Sequence, residues 1–156
     1  MPAASDPTGR LRLPLTWRPL GPRIAGAAAG GSLLFITALL WIGFDEDTKS
    51  AVTPVQRGTV VAFFLLGFAC LYALIRSKVE ARPDRLVVVN GYRRHEYDWA
   101  EIVAIRLSPG APWVSLDLAD GTSASAMGIQ GSDGARAKTA VRQLRLLLDS
   151  AHAPGD

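Results

Sequence analysis

Residues 87–107 read VVVNGYRRHEYDWAEIVAIRL, and the reading of this stretch decides the fold. Three valines lead into Asn90-Gly91, a dipeptide favoured in two-residue hairpin loops because both positions of a type I′ turn need positive φ. Residues 85–90 are therefore expected to be a strand and residues 92–99 its return. Ile102 opens a third strand, 102–107, three positions after Trp99. The basic run Arg93, Arg94 and His95 leaves three options: a catalytic or nucleic-acid site, a lipid-binding surface, or the edge of a small β fold.

The flanking sequence favours a small β unit. Residues 77–82 alternate weakly and stop at Pro83-Asp84. Residues 113–120 alternate cleanly, with Val114, Leu116 and Leu118 on one face. Asp120-Gly121 is a second hairpin signal, and 122–129 can return as an Ala/Ser-rich strand. About six short strands with turn signals between them suit a small sandwich or barrel. The period then changes to that of a helix over 134–150, where Ala137, Ala140, Val141, Leu144, Leu147 and Leu148 form one apolar stripe. Ser132 or Asp133 is placed to cap it. Such a helix needs an apolar partner surface, so strands and helix are read as one domain, 77–151, followed by a polar tail, 152–156.

Upstream, residues 24–44 carry no charge over 21 positions, and residues 58–75 are a second uncharged run. The first spans roughly 30 Å as a helix, the thickness of a bilayer hydrocarbon core, and neither run has a polar face. The connection 45–57 is short and polar, which makes a transmembrane helical hairpin the simplest reading. Arg10, Arg12, Arg18 and Arg23 precede the first run, and Arg76, Lys78, Arg82, Arg85, Arg93 and Arg94 follow the second. The loop has only Lys49 and Arg57. By the positive-inside rule both termini belong in the cytoplasm, as expected of a two-span plasma-membrane protein. A cleaved signal peptide is the rival reading, but the first run is too long and no A-x-A site precedes the acidic loop. Gly26 and Gly30 form a G-x-x-x-G, which suits close helix packing within the hairpin or in a homodimer, but is also common filler. The basic, proline-containing segment 1–23 is expected to be disordered or extended, with Trp17 an anchor at the membrane interface.

Two spans followed by a six- or seven-stranded unit and one amphipathic helix resemble a bacterial family. These are the small actinobacterial membrane proteins with a pleckstrin-homology-like (PH-like) domain, of the low molecular weight protein antigen 6 type. The resemblance is carried by VVVNGYRRHEYDWAEIVAIRL, in which a basic strand ends in Trp99, then Glu101, then Ile102 opening the next strand. It implies a membrane α+β protein whose PH-like antiparallel β-barrel is closed by the C-terminal helix. It implies no enzyme and no transferable ligand. The region of a phosphoinositide signature offers only Arg82-Pro83-Asp84-Arg85, broken by an acid and a proline.

The remaining chemistry is sparse. The net charge of +3 is too small to argue for nucleic acid. One cysteine, Cys70, and two histidines leave no metal-ligand spacing, so no metal or cofactor is expected. His95 has no serine or cysteine motif beside it and reads as a surface strand residue. GIQGSDG, 128–134, can cradle an anion at a helix start but lacks a lysine, and a loop plus cap explains it better. Charge has direction: residues 76–94 carry +4 and residues 95–156 carry −3. Two functions follow as expectations. One is a non-enzymatic interaction module binding a protein partner or a second copy beneath the membrane. The other is an anionic-lipid headgroup sensor using Arg82, Arg85, Arg93 and Arg94.

Overall fold

The structure, a computed structural model, describes residues 12–153. The expectations for residues 1–11 and 154–156, Arg10 among them, fall outside the described residues. Among the described residues there are two antiparallel sheets, a pair of long apolar helices joined by a short one, and one C-terminal helix. Strands β1 (Leu15–Trp17), β2 (Lys78–Ala81), β3 (Arg85–Asn90) and β4 (Arg93–Asp98) form one sheet in that order. Strands β5 (Ile102–Arg106), β6 (Trp113–Leu118) and β7 (Ser123–Gln130) form the other.

Between β1 and β2 the chain runs through α1 (Gly21–Gly43), the short α2 (Glu46–Ala51) and α3 (Pro54–Arg76). The apolar hairpin is thus an insertion in the β1–β2 connection. Each long helix has 23 residues, about 34 Å of axis, and is long and apolar enough to cross a membrane. Only 6% of the apolar window of α1 and none of that of α3 is buried, so neither is a core helix of the domain. The helices begin earlier than their uncharged runs. Thr53 and Gln56 form a capping box that starts α3 at Pro54, which suits the first helical turn. The connection between them carries structure of its own, because Asp45 caps α2 through the Thr48 N–H at 2.8 Å.

The N-terminal segment departs most from expectation. Residues 15–17 pair with β2 (Leu15 with Ala81, Thr16 with Glu80, Trp17 with Val79). Trp17 is not a free interfacial anchor: its indole Nε1 donates to Gln143 Oε1 at 3.2 Å, and it packs against the core with Leu13 and Leu15. The period-2 spacing of Leu13, Leu15 and Trp17 is the sequence signal for this strand.

The core lies between the sheets and under α4 (Ala135–His152). Leu86, Ile102, Leu116 and Leu144 are fully buried, each worth about 1.5–3 kcal/mol of transfer free energy. The expected apolar stripe of α4 supplies Ala137, Ala140, Val141, Leu144 and Leu148 to this core, with Leu147 half-buried beside it. The barrel is not closed, contrary to expectation. Trp99–Glu101 form a 3-10 turn that lifts the chain out of the first sheet, so β4 and β5 are edge strands of different sheets. At another seam β7 crosses β2 so closely that a Cβ on Gly128 would lie 2.4 Å from the Lys78 carbonyl carbon.

Two turns differ in detail. The β3–β4 loop is Gly91-Tyr92, with positive φ only at Gly91 (+59°), the pattern of a type II′ turn rather than type I′. Asn90 stays in the strand because its side chain is used across the seam. Its Nδ2 donates to Ser125 O at 2.6 Å and its Oδ1 accepts from Met127 N at 3.0 Å. At the other end, neither Ser132 nor Asp133 caps α4; Gly134 occupies that position with φ +56°.

Candidate interaction surface

The first sheet sets a row of directly opposed residues, Thr16, Glu80, Val87 and Glu96, across β1 to β4. Residues opposed in this way share a face. Val87 is 1% exposed although it faces away from the core. The two glutamates flanking it gather the basic residues. Lys78 Nζ and Arg82 Nε lie 2.6 and 2.8 Å from Glu80, while Arg85 Nη1 lies 2.9 Å from Glu96, which Arg94 also contacts. Arg85 reaches Asp84 as well, at 2.6 Å. Long basic side chains laid over an apolar residue cover it while keeping their charges wet. The hydrogen bond from Lys78, then that from Arg82, hold the Glu80 carboxyl below the usual range. Arg85, then Arg94, do the same for Glu96.

Of the basic set, Arg82 is therefore tied with Lys78 to Glu80, and Arg85 and Arg94 are tied to Glu96, with Asp84 also on Arg85. Arg93 makes no ion pair among the described residues. It follows Tyr92, whose hydroxyl donates to Ala69 O of α3 at 2.8 Å and whose ring lies 6.3 Å from that of Tyr72. Gly91 N donates to Ser77 Oγ at 3.0 Å. The β3–β4 turn thus rests against the last two turns of α3, a contact that tyrosine, with an apolar ring and a polar tip, suits. His95 lies on exposed β4 and stacks on Tyr97 at 6.2 Å.

Trp99, Glu101 and Ile102 have structural work. Trp99 is buried and its Nε1 donates to Arg82 O at 3.0 Å. The Glu101 carboxylate accepts the Asp98 N–H at 3.0 Å and fixes the 3-10 turn. Ile102 is fully buried. His152, read as part of a polar tail, is the last residue of α4. Its Nε2 lies 3.0 Å from Trp99 O and donates to that carbonyl, latching the helix to the turn. Gly26 and Gly30 both face Leu71 of α3; an added Cβ would come within 2.9 and 3.2 Å of its methyls, so these small residues let the two helices of the hairpin approach.

A second surface, which the sequence did not single out, lies along α4. A groove of about 700 Å³ runs between α4 and the loop 108–112, with Lys138, Arg142 and Arg145 along one wall. Its near end abuts the start of α1, where the Asp133 carboxylate accepts the N–H groups of Leu20 (3.0 Å) and Gly21 (2.9 Å).

Two antiparallel sheets with a C-terminal helix packed on their core define a PH-like domain. Residues 76–147 match the family model described as Bacterial PH domain. That match begins at the end of α3 and leaves out β1, which reaches the same sheet from the far side of the inserted hairpin. No curated protein and no solved structure matches the chain.

Proposed function

We propose that the chain is a non-enzymatic, membrane-anchored interaction module of the low molecular weight protein antigen 6 type. It acts at the cytoplasmic face of the plasma membrane and binds a protein partner or a second copy of itself. The observation that carries this reading is that both ends of the apolar hairpin enter one sheet, through β1 and β2. A single flexible linker leaves a domain free to tumble. Two strands, the Asp133 cap and the Tyr92 contact instead hold this one at a set angle to the hairpin base. Both ends of the hairpin lie on one side, and the excess of Arg and Lys on the flanks of the hairpin supports the cytoplasmic side. His152 and Trp99 serve packing, which supports a reading without catalysis. Cross-linking in native membranes followed by purification is expected to return a discrete heteromeric or dimeric product. Repeated recovery of the monomer alone would count against this function.

A second reading, contact with anionic lipid, is favoured by Arg93, which makes no ion pair among the described residues and follows Tyr92, the residue that ties the β3–β4 turn to α3. Removing Arg93 should then weaken co-sedimentation of the purified chain with anionic vesicles at low salt. No change on Arg93→Ala would end it.

A further inference from the structure

We propose that the groove along α4 is a docking site for an acidic protein segment; this rests on the interaction-module reading and names the chemistry of the partner. Lys138, Arg142 and Arg145 stand at i, i+4 and i+7, so they share one helix face and spread over about 10 Å of axis. Like charges at this spacing repel, so helix stability does not account for them. On the first sheet Lys78, Arg82, Arg85 and Arg94 each have a carboxylate, and Arg93 does not. None of the three in the groove makes an ion pair among the described residues, and no acidic residue lines the groove. The site is built rather than loose. Arg145 Nε donates to Ile105 O at 2.9 Å, and Gly131 N to Pro112 O at 3.0 Å. Leu107 and Val141 supply apolar lining. The volume falls within the roughly 300–1,000 Å³ of binding clefts.

The length and direction of the stripe select the occupant. An extended chain rises about 3.3 Å per residue and turns every second side chain to one face, so acidic residues at alternate positions, about 6.6 Å apart, line the stretch from Lys138 to Arg145. A single phosphate meets one end only. The groove begins beside the first turn of α1, and α4 then leads away from the hairpin. Its far end is latched at Trp99, a whole strand β4 distant from the turn that touches α3. A headgroup reaching up from a bilayer would meet Lys138 and not Arg145.

The test uses the full chain in uncharged phosphatidylcholine nanodiscs and a fluorescein-labelled heptapeptide with glutamates at alternate positions. Saturable binding at low salt is expected, weakened at least about tenfold by Lys138→Glu with Arg142→Glu, less by the paired Gln substitutions, and unchanged by Arg93→Glu. Both Lys138 and Arg142 are exposed, and unchanged melting of the variants checks that they fold. No binding at low salt, or equal binding by the Glu pair, overturns the proposal. So does displacement of the peptide by phosphatidylglycerol vesicles acting through the same two residues, which would make lipid the occupant. In native-membrane cross-linking, a partner captured equally by wild type and the Glu pair sinks the groove and leaves the module reading standing. Capture by neither sinks that reading itself.

Discussion

Asp133 accepts the backbone N–H of Gly21 at 2.9 Å, and that of Leu20 at 3.0 Å. Helix α1 has no cap of its own, because Leu20 occupies its N-cap position. A carboxylate more than a hundred residues downstream satisfies two orphan donors and meets the positive end of the helix dipole. Asp133→Ala should therefore cost about 1 kcal/mol, and Asp133→Asn less. The effect should be local. Hydrogen exchange at residues 20–24 should accelerate while that of the β2–β3 ladder stays protected.

Gly128→Ala should be among the most damaging single changes in the domain. The added methyl would sit 2.4–2.6 Å from backbone atoms of Lys78 and Val79, and backbone cannot swing aside as a side chain can. The seam between the sheets must open, at a cost of about 1–3 kcal/mol or more. Denaturant unfolding of the purified chain in detergent measures this. Gly67→Ala, which meets nothing within 4 Å, is the neutral control.

Stability should fall in acid, and Glu80 should contribute. Its side chain is 13% exposed, and Lys78 and Arg82 depress its folded pKa below that of the unfolded chain. A depressed carboxylate contributes its full stabilisation above the unfolded value, near 4.3. That contribution fades as pH falls from there through the lower folded pKa. Melting temperatures of wild type and Glu80→Gln should differ at pH 7 and converge as pH falls from the unfolded value through the lowered folded pKa. A constant gap across that window would assign the loss to shape, not charge.

Asn90 shows where sequence reading stops. An Asn-Gly pair between apolar strands marks a hairpin, and a hairpin is there. The dipeptide cannot say that Gly91 alone takes positive φ while Asn90 spends its amide on Ser125 and Met127, some 35 residues away. Local propensity reports the turn; the tertiary seam takes the side chain. The same limit hid Asp133, which looked like a cap for α4 and caps α1 instead. Periodicity served well where one element faces one core, as along α4 and β6. It was present in Leu13, Leu15 and Trp17 too, but a three-residue strand separated from its partner by a long apolar hairpin gives no local sign of where it pairs. The ion pair of Arg85 with Glu96 had no local sign either, because the two lie eleven residues apart and meet only through the β3–β4 register.

Asn90→Leu should accordingly destabilise the domain without altering the hairpin. Two part-buried groups at the seam, Ser125 C=O and Met127 N–H, lose their partner, at up to roughly 1–3 kcal/mol per unsatisfied group. Nuclear Overhauser contacts between Arg93 and the residue at position 90 should persist while the unfolding midpoint drops.

The central claim is that the apolar hairpin is inserted within one sheet of the PH-like domain, so that β1 and β2 meet on the same side of it. Thr16 and Glu80 are direct partners in that pairing. In a Cys70→Ser background, Thr16→Cys with Glu80→Cys should form an intrachain disulfide in native membranes under mild oxidation, detected by proteolysis within the 45–53 connection that leaves the two halves joined. Each introduced cysteine should also be labelled by a membrane-impermeant maleimide from the same face. Absence of the cross-link, with the two positions labelled from opposite faces, would contradict the account.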